Sequence, residues 1–247
     1  MKPDDVSQRL SRISTQWSMV VQAHLDDTEQ VQPSRAELVQ RYSGAVYRYL
    51  LAVVRDPDVA EELCQEFILK FLQGGFHRAS PERGRFRDYI KSSVINLARD
   101  HGRKQLHALK PLPDQIAEPN AGIQGSQDSD DSFALAWREE VMDRTWNSLL
   151  QQRPAYHALL RVRVDCPQLS SREIADRYVA EQSKPMTSAN VRKTLQRAHI
   201  KFADLLVEEV ATSLEQPDVR LLNLELSELD LLKYCRSAVR RWETKNK

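Results

Sequence analysis

The stretch from Asp56 to Lys104 restricts the possible folds more than any other part of the chain. In its first run, DPDVAEELCQEFILKFL, the apolar residues Val59, Leu63, Phe67 and Phe71 recur at every fourth position. That spacing predicts a helix with one buried stripe. Asp56 is placed to cap it, Pro57 suits the first helical position, and acids favour the positive helix start. On another face Asp58, Glu62 and Glu66 repeat at the same spacing, with Glu61 and Gln65 beside them. Like charges so placed destabilise an isolated helix by a few tenths of a kcal/mol. The ridge therefore has a small cost in folding and suits a basic partner. Beyond QGGFHRASPERG, the run RFRDYIKSSVINLARDHGRK reads as a second helix of opposite sign. There Arg85, Arg87, Lys91, Arg99, Arg103 and Lys104 outnumber Asp88 and Asp100. One face fits a basic protein, and the other fits phosphates.

The rest of the chain sets limits on chemistry. Its 247 residues leave room for two domains. Charged residues make up 29% and glycine is scarce, as in helical proteins. With a formal net charge of +1, nucleic-acid affinity has to come from local patches. Cys64, Cys166 and Cys235 are far apart and make no CxxC, so neither a zinc site nor a disulfide framework is expected. No apolar run approaches the ~18 residues of a membrane span, and MKPDDVSQRLSRIS has no signal-peptide core. A cytoplasmic protein is expected. No Gly-rich phosphate loop, nucleophile motif or metal-ligand spacing occurs. His24, His77, His101, His107, His157 and His199 are scattered. The expectation is a protein that is not an enzyme, with no cofactor and no metal.

Taken in order, residues 1–33 hold a leading helix with Ile13, Trp17, Val20, Val21 and Leu25 on one face. Residues 34–108 form a helical domain, with Leu38, Tyr42, Val46, Tyr49 and Val53 inward in its first helix. The linker is placed at residues 109–132, where from Pro111 to Ser132 the character changes: PLPDQIAEPNAGIQGSQDSDDS has five acids, no base and no helical period. Such a segment cannot bury enough apolar surface to offset its ordering entropy, and it reads as an acidic linker extended by self-repulsion. A second helical domain spans 133–212, with Leu135, Val141, Trp146, Leu149 and Leu150 inward in its first helix and Pro154 opening the next. Ser170 or Ser171 caps a short helix containing Ile174, Ala175 and Tyr178. Ser188 caps a long one with Val191, Leu195, Ala198, Phe202, Leu205 and Leu206 inward. Arg192, Lys193, Gln196, Arg197 and Lys201 fill its other side, along with Ile200, which the pattern does not explain. Two such helices, the second basic at its start, form a helix-turn-helix. The extension 213–247 is Leu-rich; Ser227 with Asp230 resembles a capping box, and Leu229, Leu232, Val239 and Trp242 share a face. It either packs back on the second domain, docks a regulator, or covers a DNA-binding face.

The two informative stretches resemble the two conserved halves of a bacterial RNA polymerase sigma factor of the sigma-70 family, extracytoplasmic-function type, here with a C-terminal extension. DPDVAEELCQEFILKFL is similar to that family's region 2.2, and RFRDYIKSSVINLARDHGRK to regions 2.3 and 2.4. EIADRY followed by ANVRKTLQRAHIKFADLL is similar to region 4.2. The acidic linker lies where the family's linker threads through the polymerase. Three features depart from the pattern. The turn VAEQSKPMT exceeds the usual 3–4 residues, Asp88 and Tyr89 stand near where region 2.3 commonly has Trp, and the extension is additional.

The resemblance implies an all-α fold of two helical domains and a transcription initiation specificity factor. Asp58, Glu61, Glu62, Gln65 and Glu66 would dock on the coiled coil of the polymerase's largest subunit. Phe86, Tyr89, Asn96, Arg99, Arg103 and Lys104 would receive the opened −10 DNA, with Arg and Lys on phosphates and aromatic or amide groups on bases. Glycines in QGGFHRASPERGR would allow close approach to a flipped base. Ser188, Asn190, Arg192, Lys193, Gln196 and Arg197 would read the −35 duplex in the major groove. The expected partners are polymerase core, promoter DNA and a regulatory protein such as an anti-sigma factor, with no membrane insertion. The rival reading is an autonomous helix-turn-helix regulator whose first domain senses a ligand or dimerises. Such a protein would have no use for the acidic ridge.

Overall fold

The computed structural model describes residues 33–72, 86–108, 126–182, 186–214 and 217–246. The fold is all-α: nine helices and no strand occur among the described residues. They divide into two compact units, residues 1–140 and 141–247. The leading helix, the GG loop and most of the acidic segment lie outside the described residues.

Three helices build most of the first unit: α1 (Pro33–Val54), α2 (Pro57–Leu72) and α3 (Phe86–Ala108). Arg55 ends α1 in the left-handed region at φ 58°. The next residue starts α2, since the Asp56 carboxylate accepts from the backbone N–H groups of Asp58 at 2.9 Å and Val59 at 3.2 Å. Pro57 occupies the first helical position, where its missing N–H costs nothing. Tyr42, Val46, Tyr49, Leu63, Phe67 and Phe71 are buried as their spacing predicts, whereas Val59 and Val53 are only half-buried. Ile90, Val94 and Leu97 complete this core from α3.

The fourth helix departs from expectation. α4 runs Ser126–Gln152, so the last seven residues of the stretch read as linker are helical. Phe133, expected to open the second domain, belongs to the first unit. It meets Tyr49 edge-on at 5.8 Å, and Trp137 stacks on Tyr42 at 4.3 Å. The Glu140 carboxylate lies directly over Gly44, leaving no room for a Cβ there, and is 3.6 Å from Arg48 Nε. Phe133, Trp137, Val141, Thr145 and Leu149 are all fully buried at four-residue intervals. A four-residue step overshoots one turn by about 40°, so this line winds around the helix as it passes from one unit to the other. Leu135 and Leu150, expected inward, fall off the line and are 59% and 45% exposed. Thr145 is on it, with its hydroxyl donating to the Val141 carbonyl at 2.7 Å.

In the second unit, α5 (Pro154–Asp165), α6 (Ser171–Gln182) and α7 (Ser188–Thr212) gather around one apolar cluster. Its members include Leu149, Leu159, Ile174, Val191, Leu195 and Ala198, with Trp146 and Phe202 packed against it. Ser170 caps α6 through a reciprocal box: its hydroxyl accepts from Glu173 N at 3.3 Å, and Glu173 accepts from Ser170 N at 2.7 Å. Those bonds hold the Glu173 carboxyl below the usual carboxylate range. At α7 the cap is Thr187, not Ser188, with its hydroxyl 3.2 Å from Asn190 N; Ser188 is the first helical residue.

The C-terminal extension forms α8 (Val219–Glu228) and α9 (Leu232–Lys245), both packed against α7. Leu229 and Val239 are buried, and Leu232 and Trp242 half-buried, as one face requires. Ser227 and Asp230 are not a capping box. Asp230 stands at φ 52° in the turn between the two helices and donates its N–H to the Ser227 carbonyl at 3.0 Å. The cap of α8 is Asp218, which accepts from Leu221 N at 2.7 Å. Burial, and to a lesser extent the Glu61 charge, pushes the Cys64 thiol far up, and burial raises Cys235 to about 11. Both are free thiols buried in the core, the setting of structural cysteines.

Candidate protein and nucleic-acid interfaces

The first unit has two charged surfaces on neighbouring helices. On α2 the apolar stripe is buried, which turns the acidic positions outward. Asp58, Glu62 and Gln65 are exposed, and Glu61 and Glu66 partly so. Glu66 accepts from Lys70 Nζ at 2.6 Å, an exposed pair that neutralises one end of the ridge. Glu62 and Gln65 have no side-chain partner among the described residues. Leu69, four residues beyond Gln65, is 42% exposed and adds an apolar spot that the periodicity did not single out. The ridge is thus a surface with carboxylates at one end and a methyl-bearing side chain at the other. A basic helix with apolar positions fits it, and complementary charge would set the encounter rate and register.

On α3 the core residues Ile90, Val94 and Leu97 direct the intervening positions outward. Asn96, Arg103 and Lys104 are exposed, and Tyr89 and Arg99 are half-exposed. Tyr89, Asn96 and Arg103 recur at seven-residue intervals and so share one side of the helix. Arg103 Nη2 donates to Asp100 at 2.6 Å across an exposed pair, a contact weak enough to yield to a phosphate. Arg87, counted with the basic face in the sequence, is buried instead. It lies three residues before Ile90, on the core side. Phe86 opens α3, and its side chain lies outside those described.

The second unit has a third surface on the first half of α7. Val191, Leu195 and Ala198 are buried, which leaves Asn190, Arg192, Lys193, Gln196 and Arg197 exposed and Ser188 half-buried. The four residues from Arg192 to Arg197 in that set have no side-chain partner among the described residues. All four are exposed with the extension packed against α7. The turn before α7 includes residues 183–185, which are outside the described set. No group of three or more His, Cys, Asp or Glu side chains among the described residues is placed to hold a metal ion. No helix among them is long and apolar enough to cross a membrane.

Comparison with known proteins bears on the first of these units. Neither the curated proteins nor the solved structures yield a match. Residues 38–107, which lie within α1 to α3 and contain both the acidic ridge and the basic face, match the family model of sigma-70 region 2.

Proposed function

We infer that the chain is a promoter-specificity subunit of the extracytoplasmic-function type, working in the cytoplasm with RNA polymerase core. The α2 ridge docks on a basic surface of the core. Tyr89, Asn96, Arg99, Arg103 and Lys104 on α3 hold the separated −10 strand, whose phosphates and unstacked bases suit cations beside an aromatic ring and an amide. The first half of α7 enters the −35 major groove, where Arg and Lys favour guanine and Gln favours adenine. Chemistry then belongs to the polymerase, and this chain supplies address and strand opening. The observation that carries the reading is the pairing of an exposed acidic ridge with an exposed basic face on adjacent helices inside residues 38–107. A ligand-sensing or dimerising domain would need neither.

Transcription with the full chain, polymerase core and a promoter library tests this reading. A small set of enriched start sites is expected, and none without the chain. Arg103→Ala with Lys104→Ala should slow transcription from duplex promoters but spare templates whose −10 segment is already mismatched open. Equal loss on both templates would argue against a melting role. Arg192→Ala and Gln196→Ala should each weaken promoter binding by about 1–3 kcal/mol and relax preference at one position of the −35 element. Unchanged base preference would remove α7 from the readout.

A further inference from the structure

The C-terminal extension packs on α7, the helix whose first half holds the proposed DNA-reading residues. Gln196, Ile200, Ala203, Val207 and Val210 follow one another at three- or four-residue spacing and form a single stripe. Gln196 is exposed and Ile200 is 45% exposed, whereas Val207 and Val210 are fully buried, and α8 and α9 both pack against this helix. The side of α9 that faces away from α7 is exposed at Lys233, Arg236 and Arg240.

Ion pairs fix the direction of α9. Arg241 donates from Nε and Nη2 to Asp204 at 2.9 and 2.6 Å, and Lys245 Nζ is 4.0 Å from Glu208. Both pairs have the same separation of 37 residues, so α7 and α9 run parallel. Followed back along both axes, the first turn of α9 comes level with the segment that starts at Gln196. Cys235, Ala238 and Val239 are buried, which leaves Lys233, Arg236 and Arg240 exposed at three- and four-residue intervals. Lys233 is shared with Asp230 at 3.0 Å and lies 5.2 Å over the ring of Tyr234, itself 66% exposed. Arg236 and Arg240 have no side-chain partner among the described residues.

We propose that the outward basic side of α9, centred on Arg236 and Arg240 with Lys233 beside them, binds DNA backbone phosphates that flank the base pairs read by α7. The proposal rests on the reading of α7 as the duplex-binding helix. Phosphate is the favoured occupant because cations without counter-charges continue, on a second helix, the surface begun by Arg192 and Lys193. Arginine at such spacing grips a charged backbone without reading sequence. The extension thereby widens the contact with the duplex beyond the helix-turn-helix.

The test uses holoenzyme reconstituted from the full chain and polymerase core, on a promoter recovered from the library. Affinity is measured across a salt series, and protection of the DNA backbone is mapped. Each lost phosphate contact lowers the slope of log affinity against log salt by about 0.9. Arg236→Ala with Arg240→Ala should therefore reduce the slope by about 1.8 and shorten backbone protection at one edge of the −35 duplex, with the base preference unchanged. Lys193→Ala with Arg197→Ala is the reference for α7. If the reference variant weakens binding while the α9 variant leaves slope and protection as in wild type, the proposal is overturned and the reading of α7 stands. If neither variant changes binding, both fail. Matching thermal melts of the α9 variant and wild type exclude a folding defect, since both arginines are exposed.

Discussion

Trp137→Ala is expected to destabilise the first unit by about 3–5 kcal/mol, the range for deleting a large buried aromatic. Trp137 is fully buried and stacked on Tyr42 at 4.3 Å with the rings 25° apart. It is flanked along α4 by Phe133, which meets Tyr49, and by Glu140, whose carboxylate is 3.6 Å from Arg48 Nε. Removing the indole costs its transfer free energy and leaves a cavity between α1 and α4. The stacking contributes about 0.5–1.5 kcal/mol beyond burial. Whole domains are stable by only about 5–15 kcal/mol, so this loss is a large fraction. Urea denaturation of the full chain, followed by near-ultraviolet signals of the aromatic residues, measures it. Trp137→Phe should recover part of the loss. A wild-type midpoint for the alanine variant would mean that α4 contributes little to the first unit.

That prediction could not have been made from the sequence, and the reason is instructive. Periodicity predicted the stripes of α1, α2 and α7 because each of those stripes holds one phase over several turns against one core. α4 serves two cores, and its buried line at Phe133, Trp137, Val141, Thr145 and Leu149 turns as it advances. A single-face reading therefore picked Leu135 and Leu150, which are exposed, and passed over Trp137 and the polar Thr145. The acidic tract misled in a similar way. Residues 126–132 look like solvated linker, yet they are the opening turns of a helix.

Caps show where local signals suffice. Asp56 was legible because a short polar side chain stood one position before a helical pattern, whereas Ser170 and Ser171 were left as alternatives that the bonds of Ser170 with Glu173 decide. Thr187 was overlooked because three capping residue types stand within four positions at Thr187, Ser188 and Asn190, and only backbone geometry separates them. The charged surfaces were legible for a different reason. Once the apolar stripes are assigned, helix geometry fixes which residues face water. Arg87 is the exception, since a basic residue three positions before Ile90 is carried into the core side. How the extension packs was not legible, because the direction of α9 depends on pairs 37 residues apart, Arg241 with Asp204 and Lys245 with Glu208.

The second large effect concerns the ridge itself. Glu62 and Gln65 are exposed at the middle of α2, with no side-chain partner among the described residues, so changing them disturbs little inside the unit. Glu62→Lys with Gln65→Ala reverses one charge and removes an amide where a basic partner would lie. Like charges brought together at an interface cost several kcal/mol. At 1.4 kcal/mol per tenfold, that amounts to about a hundredfold or more in affinity. Surface substitutions of this kind usually change stability by less than about 0.5 kcal/mol, which keeps the two effects apart.

Co-migration of the purified chain with bacterial RNA polymerase core on a sizing column, beside the Glu62→Lys, Gln65→Ala variant, tests the central claim most directly. A complex is expected with the wild-type chain and its loss in the variant, with both proteins melting at the same temperature. No complex with core, together with tight and salt-sensitive binding of the chain alone to duplex DNA, would contradict it and identify an autonomous regulator.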